Sequence, residues 1–580
     1  MERIKLTYAT DQSDEQELPF RILVLGDFSL KSDDYISEGP EPTSVNTENF
    51  NSILKEHNIT LGIWVENHLI NGGEDLNITF PVTTLDDLSP DSVVETVPQM
   101  KKLIEFKNRL IKIRQDNLLS SGDPAKIDEG NKEFLSSIGI DILNLKQEQF
   151  NFVIAEIVFR LNKQLDEILH SNEFVEIESL WRGLYFLVEK IDPRENCTVD
   201  ILDVSKDALR HDFEEWNDIS ESSLFKVLYD DEFGQFGGNP FGAMIGTYSF
   251  SHRVKDIDLL KNISRISAIS HAPFIADLSP EFFGTKNMSH LAEINEINDL
   301  IEKGVQYQKW RSFRATDSAK YIGLTLPGFK LRSPYDYRFD SINSFNYKEG
   351  DSNLWGNASY AFASCLLNSF ARSRWCLNIT GPEWGKVTDL FCHTDNILGK
   401  NQLSISTQML ISEEKEAQLT QAGFIPLIHQ KNSEVAVFYT ASSVRDQTPY
   451  ENNSVLNEQE RLNIKLESQL PYLFVVCRLA HYLKVIQRDN IGTSKSRMQI
   501  EKELNRWLSN YVSDMDNPSQ SVKSKRPLRK ANVDVKSQKD NENWYLMNLT
   551  VMPHLSYIGA DFSLSLMGRL RKSSHSDGNK

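Results

Sequence analysis

A chain of 580 residues with a formal net charge of −19 is long enough for several buried cores, and its charge excludes general contact with a phosphate backbone. Its 40% hydrophobic and 25% charged residues are those of a globular protein in water, and no apolar run approaches the ~20 residues needed to span a bilayer. Five scattered cysteines (Cys197, Cys365, Cys376, Cys392, Cys477) without a C-x-x-C pair fit reduced thiols, and the acidic start MERIKLTYATDQSDEQ lacks an apolar export core, so a cytoplasmic chain is expected.

In chain order, Ile4, Leu6 and Tyr8 alternate with polar residues as a short strand, tethered by the acidic stretch Ala9–Glu17 and without an evident local partner. FRILVL, Phe20–Leu25, stopped by Gly26-Asp27, reads as a buried central strand. A helix follows over Asn49–Glu56, then strands Ile59–Val65 and Leu76–Val82 around the turn Asn71-Gly72-Gly73. Ser89 is a natural N-cap before Pro90, and Pro98 starts a second helix whose Met100, Leu103, Ile104, Phe106, Leu110 and Ile113 lie near one stripe. Ser120–Lys132 is polar, with Gly and Pro, and reads as a linker; the apolar group Phe134–Leu145 leads into helices Phe152–His170 and Glu173–Lys190 and the strand Thr198–Val204. Alternating helices and β-branched strands then argue for a layered α/β core.

Gln469–Gly492 is the most apolar stretch, with Arg478 and His481 its only strongly polar groups between Tyr472 and Leu483. It predicts a helix buried on nearly every side, with Pro471 in its first turn. Near the end of the chain Tyr545, Met547, Leu549 and Val551 alternate with polar residues, and so do Phe562, Leu564 and Leu566, a hairpin-like pair with one apolar face. Two strands alone are marginal in water and need another layer or another chain.

No residue pattern carries a reaction. Gly237-Gly238-Asn239-Pro240-Phe241-Gly242 lacks the lysine and hydroxyl of a phosphate loop and reads as a turn before the strand Ala243–Tyr248. Cys392, His393 and Asp395 have no second ligand cluster at metal spacing, and His271 and His481 read as core histidines. Trp181-Arg182 reads as a core tryptophan beside an arginine holding a carboxylate, with an exposed interface anchor as the other reading. The basic cluster Lys523, Lys525, Arg526, Arg529, Lys530 is either a docking patch for an acidic neighbour or a solvated loop, and its lack of aromatics excludes a nucleic-acid platform. No enzyme activity, cofactor or metal is expected.

Several blocks carry a resemblance. LAHYLKVIQRDNIG at 479–492, LNRWLSNYV at 504–512, VKSKRPLRKANVDV at 522–535, the 223–250 and 266–284 blocks and LWGNASYAFASCLLNSFARSRWC at 354–376 resemble the large sheath subunit of the bacterial type VI secretion system, TssC or VipB. LPFRILVLGDF at 18–28 and LDDLSPDSVVETVPQ at 85–99 resemble the small subunit, TssB or VipA. The resemblance implies a small-subunit region at 1–118, a linker and short connecting helix at 119–150, a large-subunit region at 151–535 and a terminal strand pair at 536–580. It implies a contractile tail-sheath-like α/β fold whose end strands, through Ile4, Leu6, Tyr8, Tyr545, Met547, Leu549, Val551, Phe562, Leu564 and Leu566, form an inter-subunit sheet. The partners it implies are other copies of the chain, an inner tube of Hcp rings, a baseplate and a ClpV-type AAA+ unfoldase; the shortened joint between the two regions sets recycling by that unfoldase apart from the family pattern. The alternative is the sheath of a phage-tail-like particle, which usually lacks the small-subunit pattern.

Overall fold

The computed structural model describes residues 8–9, 15–30, 40–70, 73–115, 134–137, 147–216, 218–235, 237–338, 345–350, 352–392, 394–397, 400–447, 458–489, 497–515, 518–538, 541–554 and 562–569. The chain begins with the small antiparallel pair β1 (Tyr8–Ala9) and β2 (Glu15–Gln16), Tyr8 opposite Gln16. The first strand therefore does have a local partner, because the chain returns beside Tyr8; Ile4 and Leu6 lie outside the described residues. Then come β3 (Phe20–Gly26), β4 (Thr43–Val45), α1 (Phe50–Glu56), β5 (Ile59–Val65), β6 (Leu76–Val82), α2 (Pro90–Thr96) and α3 (Pro98–Gln115). The Ser89 hydroxyl accepts from Ser92 N ahead of Pro90, and Met100, Leu103, Phe106 and Leu110 form the buried stripe of α3. The linker Ser120–Lys132 lies outside the described residues. Beyond it, Phe134 and Leu135 are buried.

The rest of the chain adds α4 (Gln147–Leu169), α5 (Asn172–Glu189), β7 (Cys197–Asp203), β8 (Phe241–Phe250), α6 (Val254–Ser270), β9 (Phe274–Leu278), α7 (Ile297–Lys303), β10 (Ile322–Leu326), α8 (Ala358–Ser373) and β11 (Lys386–Val387). It ends with α9 (Glu413–Gln421), β12 (Ile425–His429), β13 (Ala436–Phe438), α10 (Leu470–Asp489), α11 (Arg497–Ser509), α12 (Gln520–Lys525), β14 (Leu528–Gln538), β15 (Asn541–Pro553) and β16 (Phe562–Arg569). One nine-stranded sheet organises this mixed α/β fold, in the order β11-β13-β12-β10-β9-β8-β3-β7-β4. The run from β12 to β7 is parallel, and antiparallel strands close both edges.

The placement of β3 follows from its composition. Apolar on both faces, it is stable only where both are covered. Parallel pairing to β7 and β8 puts it inside the sheet, with Ile22 and Val24 in the core under α5, α8 and α10, and Leu23 and Leu25 in the core under α6. Its approach is held by α10, the apolar helix. Leu18 N donates to the Tyr482 hydroxyl at 2.9 Å, and the Arg478 guanidinium donates to the carbonyls of Leu18 and of Pro19, the latter at 2.9 Å. That guanidinium lies 4.9 Å over the Phe370 ring, which stacks on Phe20 at 5.0 Å. Arg21 adds ion pairs to Asp200 and Glu232 at 2.6 and 2.5 Å.

Helix α4 grips the β5–β6 layer in the same way: Gln164 accepts from His68 N at 2.8 Å, and Arg160 donates to Leu69 O at 3.0 Å. Residues before and after the linker thus share cores and backbone hydrogen bonds. A protease nick between Ser120 and Lys132 is expected to leave both pieces co-eluting on gel filtration; separation of the pieces at neutral pH without denaturant would contradict the shared core.

Candidate assembly interface

The positions with chemical potential in the sequence take structural roles. Gly237, at φ +87, and Gly238, where a Cβ would stand 2.4 Å from Glu232 O, make a tight turn before β8. The turn presents carbonyls of Gln235 and Gly238 to Arg488 at 2.8 and 3.1 Å, so it receives the end of α10 instead of an anion. His271 caps α6 in the left-handed conformation, and His481 pairs with Ser270 O at 3.1 Å. Burial drives His271 well below the ordinary histidine range and His481 down to about 3, which keeps both rings neutral. Cys392 is half-buried with its thiol toward Ser433 O, and burial pushes its pKa up, away from a thiolate. His393 and the Asp395 side chain lie outside the described residues. Among the described residues no three His, Cys, Asp or Glu side chains gather as a metal site.

Trp181 is fully buried, donates to Phe28 O at 3.2 Å, and meets Phe28 and Phe50 edge-on at 5.3 and 5.7 Å. Arg182 holds Glu178 at 2.7 Å. Glu178 opens a buried ionic cluster with no sequence signal of its own. Arg332 bridges Glu178 (2.9 Å) and Glu349 (2.6 Å), and Glu349 also accepts from Tyr335 N (2.8 Å) and meets His170 Nε2 (3.0 Å). The cluster ties Arg332, Tyr335 and Glu349 to α5 and to His170 at the end of α4.

The end of the chain carries the expected strands. The expected strand pair exists as β15–β16, with Val551 opposite Phe562, Leu549 opposite Leu564 and Met547 opposite Leu566, and Tyr545 opposite Gly568. Met547, Leu549 and Val551 are buried; the side chains of Tyr545, Phe562, Leu564 and Leu566 lie outside the described residues. A third strand, β14, was not legible and completes the layer. It places Val533 against Leu549 and Val535 against Met547, and it runs across the expected boundary at 535/536. The basic cluster is accordingly no loop: Lys523 and Lys525 lie on α12, Arg529 and Lys530 on β14, and Arg526 between them.

The two edges of this three-stranded sheet differ. Along β14, Val533 N donates to Asn505 Oδ1 (2.9 Å), Asn505 Nδ2 donates to Val533 O (2.8 Å), Val535 N donates to Glu501 Oε2 (3.2 Å), and Arg497 donates to Val535 O (3.0 Å). Side chains of α11 therefore occupy the positions a fourth strand would take. Beyond β16 no further strand pairs among the described residues. A strand edge without partners is a template for another chain.

No helix of the described residues is long and apolar enough to cross a membrane. Residues 151–445 match the family model described as EvpB/VC_A0108, tail sheath N-terminal domain, and residues 459–570 the EvpB/VC_A0108 tail sheath gpW/gp25-like domain. Residues 1–123 match the model for type VI secretion system, VipA, VC_A0107 or Hcp2. The type VI secretion system sheath protein TssC1 of Pseudomonas aeruginosa is 35% identical over 431 residues, 72% of this chain and 85% of that protein. A solved sheath tail protein from Desulfitobacterium hafniense superposes with a TM-score of 0.28 at 8% identity, over 57% of this chain and 56% of that one, a likeness too slight to bear on the fold. The VipA match at the front of the chain disfavours the phage-tail-like alternative. The chain belongs to the type VI secretion tail-sheath family, and it joins a VipA region and a VipB region in one polypeptide.

Proposed function

We propose that copies of this chain polymerise into a cytoplasmic tube, the contractile sheath, around an inner tube of Hcp rings, and that contraction against a baseplate drives the inner tube into a target cell. The chain is a structural subunit without a reaction of its own, and the fusion sets small and large regions at one to one. Neighbouring copies are joined by strand addition: the segment holding Ile4, Leu6 and Tyr8 adds to the sheet that carries Met547, Leu549, Val551 and the β16 residues Phe562, Leu564 and Leu566. The observation that carries this reading is the asymmetry of that sheet, closed along β14 by Asn505 and Glu501 and followed by no further strand beyond β16 among the described residues. Each backbone hydrogen bond gained nets roughly 0.5–1.5 kcal/mol, so a handful make a contact of several kcal/mol that survives rotation of the subunits.

Negative-stain microscopy of the purified chain tests the reading: tubes or rings are expected, and compact particles under all conditions would contradict it. Leu6→Pro, which removes a donor and fixes φ, is expected to leave the melting temperature unchanged and abolish tubes. Normal tubes from that variant would exclude the N-terminal strand from the joint.

A further inference from the structure

We infer that adjacent copies are also joined head to tail by two oppositely charged patches on opposite faces of the nine-stranded sheet. The first surrounds α12 and the start of β14: Lys523, Lys525, Arg526 and Lys530 stand at the surface within eight positions, and no acidic residue lies among residues 519–532. None of the four makes an ion pair among the described residues. Leu528 anchors this patch in the core that holds Ile22 and Val24.

The second lies where α7 meets α9. Asn298 on α7 donates to Gln421 on α9 at 3.0 Å, and Lys415 reaches Ile294 O, which brings the exposed Glu293 and Glu296 to the end of α9 that carries the exposed Glu413 and Glu414. Lys415 and the Asp299–Lys303 pair (2.5 Å) leave the carboxylates in clear excess. Ile297, Ile301 and Leu419 anchor these helices in the other core, the one that holds Leu23 and Leu25. Alternate residues of one strand, β3, thus enter the core that anchors the basic patch and the core that anchors the acidic one.

A chain that carries complementary surfaces on opposite faces docks its basic side on the acidic side of the next copy. Such a contact is heterologous: it leaves one patch free at each end and propagates into a filament instead of closing as a twofold dimer. The partner is therefore a second copy of this chain. The contact deepens the sheath reading and rests on it, adding a salt-sensitive term beside the strand joint. Because the groups are exposed, their attraction is screened over a Debye length of about 10 Å at 0.1 M salt, and it serves register and rate of addition more than affinity.

Two full-length variants test it: Lys523→Glu/Lys525→Glu/Arg526→Glu, acidic on both faces, and Glu293→Lys/Glu296→Lys/Glu414→Lys, basic on both. At 50 mM salt each alone is expected to pellet at least tenfold less polymer than the unmodified chain, with unchanged circular dichroism. An equimolar mixture is expected to recover to within about threefold, since acidic and basic copies can then alternate. Normal polymer from either variant alone, or no recovery on mixing, overturns the contact while tubes of the unmodified chain uphold the sheath reading. Short salt-sensitive oligomers that obey the mixing rule, without tubes, would uphold the contact and overturn the sheath. A chain monomeric at every salt concentration would overturn both.

Discussion

Arg332→Met is expected to destabilise the fold by about 3–5 kcal/mol, the cost of removing the buried cation that Glu178 and Glu349 share. Glu178 and Glu349 have side chains 0% and 1% exposed, so water cannot take the place of the guanidinium. The measurement is the urea midpoint of the full chain. A loss under about 1 kcal/mol would mean that the cluster is solvated. Adding Glu178→Gln and Glu349→Gln to Arg332→Met should recover much of the loss, because neutral amides cost less to bury than unpaired charges.

The same cluster sets a pH dependence. The hydrogen bond to Glu349 raises His170 above its ordinary value of 6.5, so its contribution is full below that value and is lost as pH climbs through the folded pKa. Burial alone would raise Glu349, but hydrogen bonds from His170 and Arg332 override it and hold the carboxyl below 4.5; its contribution is present above that value and is lost as pH falls through the folded pKa. Arg332, Tyr335 and Glu349 should therefore be held most firmly between about pH 4.5 and 6.5. His170→Gln should abolish the alkaline limb in hydrogen-exchange protection around Arg332, Tyr335 and Glu349, and should move the acid limb to higher pH, since the charged His170 is one of the donors that hold Glu349 down.

Trp181→Ala carries the second large effect, about 3–5 kcal/mol for truncating a fully buried tryptophan. The ring is the meeting point of the two regions, since Phe28 and Phe50 precede the linker and Trp181 follows it. The loss should therefore appear as weaker association and not only as a lower melting temperature. With the linker nicked, the Trp181→Ala pieces are expected to separate at a urea concentration well below that needed for the unmodified protein. Equal midpoints for the two nicked proteins would show that the joint is carried elsewhere.

Local pattern was readable wherever one physical rule governed a stretch. β5 and β6 fall on Ile59–Val65 and Leu76–Val82, because one face is buried and the other wet, and alternation records that directly. α10 was legible for the opposite reason, being apolar all round. β14 was not: Arg529, Lys530, Asn532 and Asp534 dominate its composition, and only the burial of Val533 and Val535 shows what the alternation serves. The ionic cluster left no trace either, because Arg332 and Glu178 stand 154 positions apart and their pairing depends on packing. FRILVL announced a central strand but not its neighbours, and the family resemblance supplied the assembly reading that no motif carried. The end strands remain a matter for the Leu6→Pro experiment, while the backbone of β15 and β16 lies where alternation placed it.

The position of β3 has a consequence for the order of events at the ribosome. Phe20–Gly26 leaves the exit tunnel early, yet the strands on either side of it end at Asp203 and Phe250. At about 5–20 residues per second, roughly two hundred further residues take some ten to forty seconds to appear. During that interval a strand apolar but for Arg21 has neither neighbour, and its two faces are a hazard for aggregation or a handle for a chaperone. Made as two separate polypeptides, such a strand would end its wait only by colliding with a partner at cellular dilution. Here the partner is drawn out on the same chain, and the wait ends by closing a loop, at an effective concentration in the millimolar range.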